Sequence, residues 1–131
     1  MLNLIKDLSK LNICLLGEGY DNAIEYLKQL LELEVIEIPS GTKVDTWTVP
    51  DEWIIRDAWV KHKGEKIIDY KKDKLSCMVY SEPVHETVNL ETFKKHLYVS
   101  DERPGATPYE FSFYEKKWGF CVPKFKFFEQ K

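Results

Sequence analysis

"IPSGTKVDTWTVPDEWIIRDAWV", residues 38–60, is where the texture of this chain changes, and its reading decides the fold class. Just before it the run "EVIEI" alternates apolar and acidic residues, which predicts a strand, and Pro39 and Gly41 end that strand in a turn. From Thr42 onward the runs "TWTVP", "EWIIRDAWVKH", "EKIIDYK" and "LSCMVYS" are β-branched or aromatic, with turn-prone "PDE", "KGE" and "KKDK" between them. Within "WIIRDAWVKHKGEKIIDY" the pattern predicts one hairpin with Gly64 in its turn. Trp53, Ile55, Asp57 and Trp59 share one strand parity, and the other parity is also largely apolar, so cover on both sides is expected.

Upstream the periodicity is helical. Leu2, Ile5, Leu8 and Leu11 recur at the spacing of an amphipathic helix, and a second helix is predicted from about Asp21, its side chain capping the first turn. The apolar face of that helix is Ile24, Leu27, Leu30 and Leu31. Downstream, Asn89 caps a short helix "LETFKKHL", and "SDERPGATP" is a loop because Pro104, Gly105 and Pro108 deny it regular structure. The closing "YEFSFYEKKWGFCVPKFKFF" reads as an aromatic strand or a short helix around Phe113 to Trp118, followed by an extended run. The fold class is therefore α+β: helices and a strand first, a β-rich stretch after.

Composition bounds the rest. A chain of 131 residues, 44% hydrophobic and 14% aromatic, suffices for one compact domain with a real core. The formal net charge is -3 with acids and bases interspersed, so neither nucleic acid nor an anionic membrane is an expected partner. Lys6, Asp7 and Lys10 interrupt the apolar opening, which argues against a signal peptide, and no apolar span is long enough to cross a bilayer. Cys14, Cys77 and Cys121 are odd in number and set among apolar neighbours, as buried free thiols in a reducing compartment would be, and the cytoplasm is expected.

Motifs for chemistry are sparse. His62, His85 and His96 do not stand at the spacing that puts two metal ligands on one helix face, and the cysteines form no CxxC pair. There is no GxSxG elbow. "GEGYDNA" is a glycine turn before a helix, but Glu18 and Asp21 would repel a phosphate there. The aromatic residues read first as packing, and the alternative is a surface that meets a partner.

Four segments, "GEGYDNAIEYLKQL", "IPSGTKVDTWTVPDEWIIRDAWV", "VYSEPVHETVNLETFKKHLYV" and "PGATPYEFSFYEKKWGFCV", in this order resemble the front part of a bacterial aminopeptidase-like family with a zinc-exopeptidase fold. The most specific pieces are "PSGT" followed by "WTVPDEW", the "YSEPV" step, and the close Phe113, Tyr114 and Trp118 to Cys121. The resemblance implies an exopeptidase-like portion in residues 1–41, an inserted β-rich module in 42–108, and a return to the exopeptidase-like portion in 109–131. It also implies that the metal-ligating segments of the family come later than Lys131. No catalytic residue and no metal ligand is carried over. Zinc is expected only in full-length relatives, and this chain alone is expected to be inactive.

Two functional readings follow: an N-terminal portion of an aminopeptidase-like protein, and a stand-alone module that binds a protein or ligand through its aromatic β surface. The expected partners are the C-terminal part, a separately encoded chain, or a second copy. Trp47, Tyr114 and Trp118 are the candidate partner or substrate surface, and Trp53 and Trp59 are expected inside the packing of the β module.

Overall fold

The computed structural model describes residues 2–11, 13 and 16–128. Its helices and small sheets make a mixed α+β fold. Chain length suited one compact domain; contacts within the fold instead divide the chain into two compact units, Met1–Ile55 and Arg56–Lys131. The sequence pattern draws its boundaries at 41/42 and 108/109, and compactness draws one at 55/56.

In the first unit α1 spans Leu2–Leu8 and α2 spans Glu18–Lys28. Tyr26 Oη donates to Asp7 Oδ2 at 3.1 Å, and Lys10 Nζ donates to Asp7 Oδ1 at 2.7 Å. These donors, Lys10 first, hold the Asp7 carboxyl below its usual range. α2 begins one turn earlier than the pattern predicts. Its N-cap is Gly17, at φ 127 and without a side-chain cap, so Asp21 lies inside the first turn, where its charge favours the exposed amides. Glycine fits there because a Cβ would sit 3.2 Å from the Trp53 carbonyl.

The helix stops at Lys28, which leaves Leu30 and Leu31 exposed instead of on an apolar face. The expected strand at 34–38 does not form. Val35, Ile36 and Ile38 are exposed, and among the described residues nothing pairs with them. An alternating pattern supplies a strand's side chains but not the partner its peptide groups require. The turn after it does form: Thr42 N and Oγ1 both donate to Pro39 O, and Gly41 takes φ 82. Two short strands follow, β1 (Lys43–Val44) and β2 (Trp47–Thr48), antiparallel with Val44 opposite Trp47.

The second unit opens with the expected hairpin, β3 (Trp59–His62) against β4 (Glu65–Asp69). Lys63 and Gly64 both take positive φ, 48 and 87, the requirement of a two-residue turn whose twist matches its strands. The strand starts at Trp59, so Trp53, Ile55 and Asp57 share no strand parity with it. Nor is β3 covered on both sides. Ile68 of β4 is buried and Val60 packs on the core, but Trp59 is 40% exposed, with the Lys61 ammonium 4.9 Å from its ring centre.

Helix α3 (Leu90–Lys95) is capped as predicted, Asn89 Oδ1 accepting from Thr92 N at 2.9 Å, and it buries Phe93. His96 ends the helix and leads into β5 (Leu97–Tyr98), which pairs in parallel with β6 (Phe120–Cys121). On the other side of β6, Cys77 bridges antiparallel to Phe120, and Cys121 N donates to Ser76 O at 2.9 Å. β6 is thus central, and its residues are buried. Ile68, Phe93, Phe120 and Val122 form the core.

The close of the chain differs from the sequence reading. Residues 113–118 are neither strand nor helix, and the run after Pro123 is a helix, α4 (Lys124–Phe128), not extended chain. Pro123 starts it, its carbonyl accepting from Lys126 N at 3.1 Å, and proline's fixed φ suits a helix start.

Phe120→Ala, which empties the centre of this core, is expected to lower the unfolding free energy by about 3–5 kcal/mol, and Asn89→Ala by about 1 kcal/mol. Urea denaturation of the two variants measures both.

Candidate functional site

The most unusual surface of the second unit is built by the segment 109–114 against 76–82. Val79 N donates to Glu110 O and Ser112 N donates to Val79 O, both at 2.9 Å, so Val79 bridges in parallel to Phe111. Below this, Met78 N donates to Gly119 O at 3.1 Å, Glu82 N to Lys117 O at 3.0 Å, and Gly119 N to Ser81 Oγ at 3.2 Å. Bonds to two flanking segments hold 76–82 in place, and that support lets Tyr80 keep φ 64, a left-handed conformation rare for a bulky residue.

Along 109–114 the usual alternation is inverted. Ser112 is 5% exposed, its hydroxyl donating to Glu115 O. Tyr109, Phe111 and Tyr114 are 56%, 51% and 65% exposed. The Ser112 hydroxyl faces in and these three rings face out.

The rings form a continuous ladder. Tyr109 and Phe111 centres are 6.1 Å apart, Phe111 and Phe113 stack at 4.6 Å, Tyr80 meets Phe113 edge-on at 5.1 Å, and Phe113 meets Tyr114 at 6.4 Å. Because Phe111 and Phe113 stack on each other, their mutual faces are already used. What the ladder offers outward is apolar area.

A second ring group lies on the core. Trp118 stacks on His96 with centres 3.7 Å apart, and His96 Nδ1 lies 2.9 Å from Trp118 O. Trp118 also meets Phe120 edge-on at 6.3 Å. Between Trp118 and Phe120, Gly119 leaves room for the Tyr98 ring, since a Cβ there would lie 2.5 Å from it.

Of the three candidate surface residues, Tyr114 thus ends the exposed ladder, Trp118 packs on the core, and Trp47 stands 45% exposed on β2 of the first unit. Trp59 is half exposed, contrary to the expectation that it is packed inside. Sequence reasoning does not mark Tyr80, Tyr109 or Phe111 as site residues, and it marks Phe113 only within the motif that carries the resemblance. The alternation Tyr109, Phe111, Phe113 with Glu110 and Ser112 between was the available signal, because period two places the rings on one side of an extended chain.

Groups able to do chemistry are dispersed. His62 and His85 are exposed, and no three His, Cys, Asp or Glu among the described residues are grouped to hold a metal ion. Burial pushes the Cys77 thiol up to about 11 and the Cys121 thiol up to about 12. Cys14 lies outside the described residues. A cavity of about 100 Å³ sits beside β4 and β6, with Lys66, Lys72 and Lys126 at its wall, but the acids there are engaged. Asp69 Oδ1 accepts from Lys71 N, and Asp73 Oδ2 accepts from Thr107 Oγ1 at 2.6 Å. The Ser76 hydroxyl, also in its wall, is buried and has no hydrogen-bond partner among the described residues.

Residues 52–130, the ladder included, match the family described as "Domain of unknown function (DUF2172)". The chain belongs to the DUF2172 family. It is 41% identical over 128 residues to a Clostridium acetobutylicum protein named "Putative polysaccharide biosynthesis protein with aminopeptidase-like domain", a match covering 97% of this chain and 30% of that one. It is also similar, with a TM-score of 0.86 and 40% identity, to the crystal structure of a "putative peptidase" from Clostridium acetobutylicum, covering 98% of this chain and 31% of that chain. This DUF2172 chain therefore spans about a third of the length of the peptidase-like proteins it matches. No helix among its described residues is long and apolar enough to cross a membrane.

Two outcomes test the chemistry of this DUF2172 fold. In a Cys14→Ser variant, Cys77 and Cys121 are expected to resist a disulfide reagent at pH 8 while folded and to react within minutes in denaturant. The linkage has a sign: both thiols are protonated in the folded state, so their contribution is intact below about pH 9 and is lost as pH rises toward 11, where the unfolded chain ionises them first. Ser76→Ala removes an unpartnered hydroxyl, and the melting temperature is expected to stay level or rise, by up to about 1 kcal/mol of stability.

Proposed function

We propose that this chain serves as the N-terminal, non-catalytic portion of an aminopeptidase-like protein, with the metal-ligating residues supplied by the part of that protein it does not contain. The observation that carries the reading is coverage: nearly the whole chain matches, at 41% identity, only 30% of a relative named for an aminopeptidase-like domain. The scattered histidines and the two buried, protonated thiols suit a part that supports a reaction centre without forming one. On this reading zinc belongs to full-length relatives, the whole protein acts on a peptide or amide bond beside a free amino group, and the free thiols suit the cytoplasm. The C-terminal part, on the same chain or separately encoded, is the partner.

One observation favours a second reading, a stand-alone binding module: Tyr109, Phe111 and Tyr114 face outward, as rings that meet a separate partner would. Trp47 is then a further contact residue, and Trp47→Ala is expected to weaken association without loss of fold.

The test is hydrolysis of aminoacyl p-nitroanilides with added zinc. The purified chain is expected to give background rates, and the full-length relative to turn over. Turnover by the chain alone that a chelator abolishes would overturn the reading.

A further inference from the structure

We infer that the ladder Tyr109, Phe111, Phe113, Tyr114 and Tyr80 is the surface on which the remainder of the peptidase-like protein seats, as an apolar protein-protein interface. This rests on the fragment reading above and says where the two parts meet.

Three observations carry it. The first is the inversion of 109–114: Ser112 is buried with its hydroxyl bonded inside, while Tyr109, Phe111 and Tyr114 are each more than half exposed. A chain that faces polar groups inward and rings outward leaves a contiguous apolar patch in water unless something covers it. The second is the ring geometry. Phe111 and Phe113 stack on each other at 4.6 Å with an interplanar angle of 26°, and Tyr80 and Phe113 meet at right angles, so the rings brace one another into a ridge that the apolar side chains of another protein surface fit.

The third is the backbone. Val79 takes Glu110 O and Ser112 N, one edge of the segment; the peptide group of Phe111 points to the opposite edge, where no described residue bonds it. An open edge beside exposed rings accepts an extended segment, with main-chain bonds for affinity and side-chain contacts for choice. The positive φ of Tyr80, held by bonds on both sides, fixes one rung in advance, so little ordering is left to binding.

The occupant follows from coverage. The matched proteins are about three times as long as the part this chain matches, and the ladder lies within the matched residues 52–130, so such a relative carries, on its own chain, a large further portion available to cover this face. A second copy of this chain would have to bury the same ridge against itself.

The experiment uses the full chain and, as probe, the recombinant portion of the Clostridium acetobutylicum relative outside the matched segment, with binding read by biolayer interferometry. Phe111→Ser with Tyr114→Ser is expected to weaken binding at least about tenfold with the circular dichroism and melting curve retained. Leu90→Ser, at an exposed apolar position on α3, is expected to bind as the parent does. If the probe binds and the ladder variant binds equally well, the interface is elsewhere: this inference fails and the fragment reading stands. If the probe does not bind and light scattering shows a dimer that the ladder variant dissociates, the occupant is a second copy and the inference is overturned. Should the double variant lose its fold, the single Tyr114→Ser change, at the most exposed ring, carries the same comparison.

Discussion

The second unit depends on the placement of Phe120–Cys121 between two segments of different origin. On one side it runs parallel to Leu97–Tyr98, and on the other Cys77 bridges antiparallel to it. Phe120 N donates to His96 O at 2.8 Å, Val122 N to Tyr98 O and Cys121 N to Ser76 O, so every amide of the short strand is used. Two residues make a negligible sheet by length, but they are the point where the end of α3, the 76–79 segment and the close of the chain converge. Gly119 makes the convergence possible by admitting the Tyr98 ring where a side chain would otherwise stand.

Centrality has a chemical consequence. A strand bonded on both edges and packed between Phe93, Ile68 and Val122 excludes water, and the thiols on it and beside it stay protonated far above neutral pH. Cysteines so placed are small hydrophobes, not nucleophiles. Beside this strand Ser112 turns inward, its hydroxyl bonded to the 115 carbonyl, while Phe111 and Tyr114 stay exposed.

Elements whose signals are local were legible in the sequence. Asn89 caps its helix because a side-chain oxygen meets an amide three residues on, and Gly64 turns its hairpin because only nearby φ values matter. Elements that need a distant partner were not. The run 34–38 has the right alternation and no strand partner among the described residues; Trp53 to Ala58 has the right residues and no strand; Phe120–Cys121 shows no alternation and is the central strand. The site divides in the same way. Tyr114 was visible as one aromatic among many, Trp118 was grouped with it and lies instead on the core, and Tyr80 joined the ladder only through contacts across 33 residues, from 80 to 113.

By itself the sequence determined the mixed α+β class, the Asn89 cap, the turns at Gly41 and Gly64, the absence of a dominant charge, the apolar neighbours of Cys77 and Cys121, and the resemblance to a peptidase-like front part. Each of these rests on residues adjacent in the chain or on composition. The tertiary structure alone decided which segments pair, that the chain divides at 55/56, and which aromatic residues face water. The physical reason is that a strand or a buried ring is stabilised by groups far away along the chain. An alternating pattern states only that two faces differ; the pairing partner decides which one faces inward.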